Sequence, residues 1–362
     1  MNRIILIGNG FDLAHGLKTR YNDFIDDYWD RKTELFIESY KAGKLIFHGR
    51  SNHPIGDYKD NDITVTNLQF FQNLQTNDEP GKKGYEKFHY LSMRIPATQE
   101  RTLVFNNAFL EQLTKKRYYP YWVDIEEEYY LALKNCLEGK SKGNIAQLNK
   151  EFSALQTALE NYLKTQTASQ NDRILKVKQK IYSDLSKEEE QGTGFECKNK
   201  ILYLNFNYTE TERLYTKDAS TENVVHIHGE LGKPSNSIIF GYGDELDDKY
   251  KHIEQKNDND YLRNIKSMRY SETRNYKELE TFINSGKYQI FIMGHSCGVS
   301  DKTLLNKLFE HPNCVSIKIF YHDRGDGTDN YFDLYCNISR NFINKNLQRE
   351  RVINKMDSEP LT

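Results

Sequence analysis

NRIILIGNGFDLAHGLKTRYNDF, residues 2–24, is the stretch from which the fold follows. Ile4 to Ile7 is an apolar run rich in β-branched residues, which predicts a buried strand. Gly8-Asn9-Gly10 follows at once, and an amphipathic segment then runs through Tyr28. A strand that turns through glycines into a helix is a place to hold a phosphate, because the backbone comes close and helix N–H groups point at the anion. The same glycines are also what a tight turn needs with no ligand at all. The spacing is not GxGxxG, since Leu13 stands where the third glycine would be and the next glycine is Gly16. A dinucleotide site with its ribose held by an acid after a second strand is therefore not supported.

The 362 residues are enough for one large or two modest domains. A formal charge of -2 argues against a general nucleic-acid binder. Mean hydropathy is -0.80, polar for a globular chain, but 25 Tyr and 19 Phe point to an aromatic-rich core rather than disorder. The five cysteines are scattered without a CxxC, so neither a zinc ribbon nor a disulfide frame is expected. The first strand starts directly at the N-terminus, and no stretch of about 18 apolar residues occurs, so a cytoplasmic protein without membrane segments is expected.

Tyr21 to Lys41 predicts a helix. Ala42 to Gln99 is broken by Gly, Pro, Asn and Asp and reads as a long insertion with little regular structure, a lid or a partner surface. Helices resume near Thr102, one opened by Tyr121–Tyr130. On it Glu126 shares a face with Tyr130 and Asp124 with Glu128; these acids suit either a helix dipole or a pocket. Leu148, Phe152, Leu155, Leu159 and Tyr162 form an a/d seam, and Ile174, Val177, Ile181 and Leu185 a second one, which predicts a helical hairpin. The hairpin could pack internally or against a second copy. Lys187–Glu190 and Gly192-Thr193-Gly194 read as a frayed end and linker.

Strands are then expected in Lys200–Thr209, which ends in polar residues, in Val224–Gly229, with His and Gly at its end, in Ile238–Gly243, and at Tyr288–Met293 and Val315–Tyr321. Helices are expected near Thr209, over Lys249–Ser285, over Asp301–Glu310 with Ser300 as N-cap, and over Asp329–Asn344, with a loose end from Lys345. Strand, small polar residues, helix is the grammar of a Rossmann-like α/β fold: a mostly parallel sheet with helices on both faces. The expected organisation is residues 1–41 and 195–345 as the nucleotide-binding domain, interrupted by 42–194, an irregular then helical insertion. Four strand ends carry unusual chemistry: Gly8–Asp12, Asn205–Asn207, His228-Gly229 and Gly294–Ser296. In an open parallel sheet such ends share one edge, where ligands bind.

Two rival readings attach to these ends. Gly294-His295-Ser296-Cys297-Gly298 has the GxSxG spacing of a hydrolase nucleophile elbow, with His311 and His322 later in the chain and Asp301 a poor acid by position. His226 and His228, two apart on a strand, could both ligate a metal, though no third ligand has a fixed spacing to them.

Six motifs in order resemble the AbiH family of bacterial abortive-infection proteins. They are IILIGNGFDLAHGLKTRYNDF, YWVDIEEEY, LNFNYTETE, HIHGE, IIFGYGDE and IFIMGHSCGVSD, running from Asn2 to about Asp301. That family in turn resembles sirtuin-like NAD-binding domains. Gly8, Gly10 and Gly16 fit the sirtuin glycine spacing, and Asn207, His228-Gly229 and Gly294–Ser296 follow in the same order. The chain departs at Asp12, where a small hydroxyl residue is usual, and at Thr209, where an Asp is usual. The four-cysteine zinc module of deacetylating sirtuins is absent, which argues against protein deacetylation.

The resemblance implies a phage-defence effector that hydrolyses NAD, or a related nucleotide, as substrate or holds it as ligand, with no metal. Asn207 and His228 would be catalytic. Gly8, Asn9, Gly10, Phe11, Asp12, Gly294, His295 and Ser296 would bind the nucleotide, with Asp12 and Glu126 as further carboxylates near the reacting sugar. Backbone N–H groups of Gly8–Phe11 would take the diphosphate, and His228 would accept a proton. A phage trigger, a partner protein or a second copy would be the macromolecular partners. Two alternatives stay open: a module that senses a nucleotide without cleaving it, and a metal-dependent nuclease using Asp12, Asp124, Glu126 and His228.

Overall fold

The computed structural model describes the chain apart from residues 49–53, 72–80, 97–99, 117–122, 142, 167–171, 187–199, 217–221, 244–249 and 362. The strands are β1 (Asn2–Ile7), β2 (Ile46–His48), β3 (Ile55–Lys59), β4 (Ile63–Gln69), β5 (Leu103–Phe105), β6 (Ile201–Asn205), β7 (Glu222–His226), β8 (Tyr288–Met293), β9 (Cys314–Tyr321) and β10 (Glu359–Pro360). The helices are α1 (Asn9–Ala14), α2 (Tyr21–Lys41), α3 (Gly84–Arg94), α4 (Ala108–Lys115), α5 (Val123–Leu137), α6 (Ile145–Lys164), α7 (Asp172–Ser186), α8 (Tyr250–Gln255), α9 (Lys266–Arg269), α10 (Asn275–Asn284), α11 (Lys302–Glu310), α12 (Tyr331–Asn341) and α13 (Lys345–Arg351).

Two compact units result. The first comprises Met1–Thr19, Trp122–Lys140 and Leu163–Thr362, and the second Arg20–Tyr121 and Ser141–Tyr162. This cut differs from the one expected at residues 41 and 194: α2 falls in the second unit and α5 in the first. Hydrogen bonds hold α5 there, because Asn264 Nδ2 donates to Tyr129 Oη at 3.1 Å and Lys266 Nζ to Glu126 Oε2 at 2.8 Å.

The first unit is an α/β structure on a six-stranded, all-parallel sheet of order β10-β9-β8-β1-β6-β7. The chain winds outward from β1 through β6 to β7, then returns to the other side of β1 at β8. That reversal leaves a crevice at the carboxyl ends of β1 and β8. Both strands are flanked on two sides, which is why they read as unbroken apolar runs: Ile4–Ile7 and all of β8 are buried. Alternate residues feed opposite faces. Ile4 and Leu6 join Leu279 and Phe282 of α10 and Leu304 and Leu308 of α11. Ile5 and Ile7 join Phe11 of α1 and Val177 and Ile181 of α7.

Several local expectations are corrected. Ile238–Phe240 is buried but extended outside the sheet, held by the Ile239 N–H on the His228 carbonyl at 2.8 Å. The helix near Thr209 is a 3-10 turn, Thr211–Leu214. Ser300 does not cap α11; it lies inside a 3-10 turn and its Oγ has no partner. The end from Lys345 is ordered: α13 follows, and β10 pairs with β9. Lys187–Gly194 lies outside the described residues.

The second unit corrects the reading of Ala42–Gln99. An antiparallel sheet of order β2-β3-β4-β5 runs through it, with α3 following β4. Short strands and a bulge between Gly56 and Tyr58 break the alternation that would have announced them. Ile63, Val65 and Leu68 face inward, and Trp29 of α2 packs on Tyr85, Phe88 and Phe105. The seam of α6, expected to close a helical hairpin, is filled inside this unit instead: Phe152 meets Phe109 and Tyr162 meets Phe24. Among the described residues, no helix is long and apolar enough to cross a membrane.

Candidate functional site

The crevice is filled by the chain itself. A Cβ on Gly8 would lie 2.5 Å from His295 Cα, and one on Gly294, whose φ is +77°, would lie 2.1 Å from the Phe11 nitrogen. The two turns therefore interlock, and glycine is needed at both because backbone meets backbone. The N–H groups of Gly8, Gly10 and Phe11 donate to the carbonyls of Met293, Gly294 and Gly8 at 3.4, 2.8 and 2.9 Å. These three donors are committed within the chain, so the diphosphate cradle expected of them is not present in this conformation. Asn9 accepts the Thr19 hydroxyl, and Ser296 accepts Asn337 Nδ2 on its carbonyl at 2.9 Å.

Behind the turns lies a buried charged cluster. Lys266, at the start of α9, places Nζ 2.8 Å from Glu126 Oε2 and 2.8 Å from Asp301 Oδ1. Asp301 Oδ1 is also 3.3 Å from His228 Nε2, and its Oδ2 is 3.7 Å from His295 Nε2. His228 Nε2 lies 3.2 Å from Tyr270 Oη, and Phe206 packs edge-on against both histidines. Glu126 Oε1 accepts the Gly241 N–H at 3.4 Å.

Burial sets the protonation states. It would raise Asp301, but the Lys266 ammonium and His228 outweigh it and hold the carboxylate far below its usual range. Burial would lower Lys266, but the two acids keep it charged. With one positive charge between two acids, Glu126 is pushed up to about 7 by burial against the pull of Lys266. Burial and Lys266 lower His228, and burial takes His295 down to about 4, so both rings are neutral at pH 7.

A second buried network sits at the ends of β6 and β7. Asn207 Nδ2 donates to the Gly8 carbonyl at 3.0 Å and ties this strand end to the glycine turn. Thr209 Oγ1 donates to Asp12 Oδ2 at 2.5 Å, while Asp12 Oδ1 is buried without a partner. Burial pushes the Asp12 carboxyl up to about 6. Asn205 Nδ2 donates to Glu212 Oε2 at 2.6 Å, and His226 Nε2 stands 3.0 Å from Glu212 Oε1.

Gly8, Gly10, Asn207, Gly294 and His295 thus meet at one sheet edge, and His228 joins them through Asp301. Asp12 and Glu126 are not brought together; they belong to different networks. The nucleophile elbow is not built, because the left-handed residues of that turn are Gly294 and Cys297, with φ 77° and 53°, and not Ser296. The paired-histidine metal reading also fails: His226 is committed to Glu212 and His228 to Asp301 and Tyr270. Among the described residues no group of three His, Cys, Asp or Glu side chains is arranged to hold a metal ion. The side chain of Asp124 lies outside the described residues.

Lys266 and the central role of Asp301 were not legible in the sequence. Lys266 stands in the highly charged segment Lys249–Ser285, and nothing local distinguishes it. Asp301 could have been singled out only as the end of the motif IFIMGHSCGVSD.

Comparison with curated proteins and with solved structures finds no match. A family model described as Bacteriophage abortive infection AbiH matches residues 4–323, which include every residue of both networks. The chain belongs to the AbiH family.

Proposed function

We propose that this chain is a phage-defence effector whose strand-end cluster hydrolyses the N-glycosidic bond of NAD or a related nucleotide. The observation that carries the reading is His228: a neutral, buried imidazole beside an ionised Asp301, at the carboxyl edge of a parallel sheet. Water adds to C1′ of the nicotinamide ribose as the C1′–N bond breaks and nicotinamide leaves with the bonding pair. The transition state is oxocarbenium-like, as in glycoside hydrolysis. The His228 imidazole takes the proton from water, and the Asp301 carboxylate 3.3 Å from its Nε2 stabilises the imidazolium that forms. Lys266 acts through Asp301 by keeping it ionised. Asn207 positions the water or the ribose hydroxyls.

The strand order, 3-2-1-4-5-6 when the six strands are numbered by succession, supports a Rossmann-like, sirtuin-like assignment. So does the Asp12–Thr209 bond, because the two departures from the sirtuin pattern are each other's partners: acid and hydroxyl have exchanged positions. The test is mass spectrometry of NAD incubated with the wild type, His228→Ala and Asn207→Ala, with and without a phage trigger. Nicotinamide and ADP-ribose formed by the wild type alone support hydrolysis.

The second reading, a nucleotide-sensing module, is favoured by the committed N–H groups of the Gly8–Phe11 turn. Saturable nucleotide binding with no product over hours would select it.

A further inference from the structure

If the donors of the glycine turn are spent within the chain, the phosphate of a nucleotide needs another holder. A groove of about 460 Å³ lies on the first unit, walled by Ser235 and Asn236 on one side and by residues 271–275 on the other. That volume falls within the range of about 300–1,000 Å³ typical of small-molecule sites.

The groove adjoins the charged cluster. Asn275 Nδ2 donates to the His226 carbonyl at 2.5 Å and to Asn236 Oδ1 at 2.8 Å, which ties both walls to the end of β7. A Cβ on Gly229, the residue after His228, would lie 2.8 Å from the Asn236 carbonyl. Tyr270 immediately precedes the second wall. Its ring lies parallel to His228 at 6.2 Å and to Tyr276 at 5.7 Å, and its hydroxyl is 3.2 Å from His228 Nε2.

The lining selects the ligand. The one carboxylate, Glu272, is paired with Arg269 at 2.7 Å. The amide of Asn236 is spent on Glu230, and the hydroxyl proton of Ser271 on the Met268 carbonyl. Arg274 is exposed, and among the described residues its side chain makes no hydrogen bond or ion pair. What faces the groove uncommitted is one guanidinium with the hydroxyls of Ser235 and Thr273. A phosphate ester gains a planar two-donor fork and hydroxyl donors.

We propose that this groove binds the phosphate-bearing arm of a nucleotide, with Arg274 as its clamp, while the bond to be cleaved faces His228. The proposal rests on the reading of the cluster for which end of the nucleotide points inward; binding itself can be measured without turnover. The experiment is calorimetric titration of the full chain with ADP-ribose, using wild type, Arg274→Glu and, as control, Lys277→Glu one turn into α10. Lys277 is exposed and lies outside the groove, so both charge reversals should leave the fold intact, as checked by circular dichroism. The expected result is saturable binding, weakened at least tenfold by Arg274→Glu and less than twofold by Lys277→Glu. No binding by the wild type, an unchanged affinity in Arg274→Glu, or equal losses in both variants would overturn the assignment. If NAD is not cleaved but Arg274→Glu still abolishes ADP-ribose binding, the hydrolysis reading fails and the groove assignment stands.

Discussion

The Lys266 ammonium and the Asp301 carboxylate lie 2.8 Å apart, both buried. Neither would be ionised there alone, since an unpaired buried charge is strongly disfavoured. The pair fixes the charge that His228 faces, and it joins α9 to the turn that opens α11.

Replacing Lys266 by Met leaves Glu126 and Asp301 buried without a cation. The expected loss is about 3–5 kcal/mol, measured by urea unfolding. Adding Glu126→Gln should recover part of it, because one of the two uncompensated acids is then gone. A loss below about 1 kcal/mol for Lys266→Met would mean that water reaches the cluster.

Asp12 gives a pH signature. Its carboxyl is raised from 3.8 to about 6 in the folded chain, mainly by burial. A raised folded value favours the protonated form, so the associated stability is complete below about pH 4 and is lost as pH rises through 6. Relative to Asp12→Asn, the wild type should lose roughly 1–3 kcal/mol between pH 4 and pH 8, since a tenfold change in acidity between unfolded and folded chain is worth about 1.36 kcal/mol. Parallel unfolding curves at the two pH values would contradict the burial of this acid.

The interlocked turns predict a contrast between two glycines. Gly294→Ala meets the Phe11 nitrogen at 2.1 Å as well as an unfavourable φ of +77°, and should cost several kcal/mol, on the order of 2–4. Gly325→Ala has a similar φ of +76° and nothing within 4 Å, so it should cost only about 1–2 kcal/mol. Thermal denaturation of both variants separates close packing from backbone strain.

His228 predicts the pH dependence of turnover. Burial and Lys266 hold its pKa below the ordinary 6.5, so the neutral base persists as pH falls. NAD cleavage should keep most of its pH 8 rate at pH 7 and fall in more acidic solution than an ordinary histidine would require. A rate that halves between pH 8 and pH 7 would point to a different base.

The six-stranded sheet was legible because its central strands are buried on both faces and bounded by polar turns; Ile4–Ile7 and Tyr288–Met293 need no partner to be read as strands. The antiparallel sheet was not, because Ile46–His48 and Leu103–Phe105 are only three residues long and the second of them pairs with a strand far back in the chain, at Ile63–Val65. Strand ends such as His228 were visible by position. Lys266 was not, since its burial depends on Glu126, 140 residues earlier, and on Asp301, 35 residues later. Local pattern carries period and punctuation, whereas a buried charge is defined by partners that only the fold assembles.

Whether His228 performs hydrolysis of a nucleotide glycosidic bond is tested most directly by the free nicotinamide that purified wild type and His228→Ala release from NAD under a phage trigger. Stoichiometric nicotinamide and ADP-ribose are expected from the wild type, and none from a folded His228→Ala. Release at equal rates by both proteins, or by neither, would contradict the role assigned to His228.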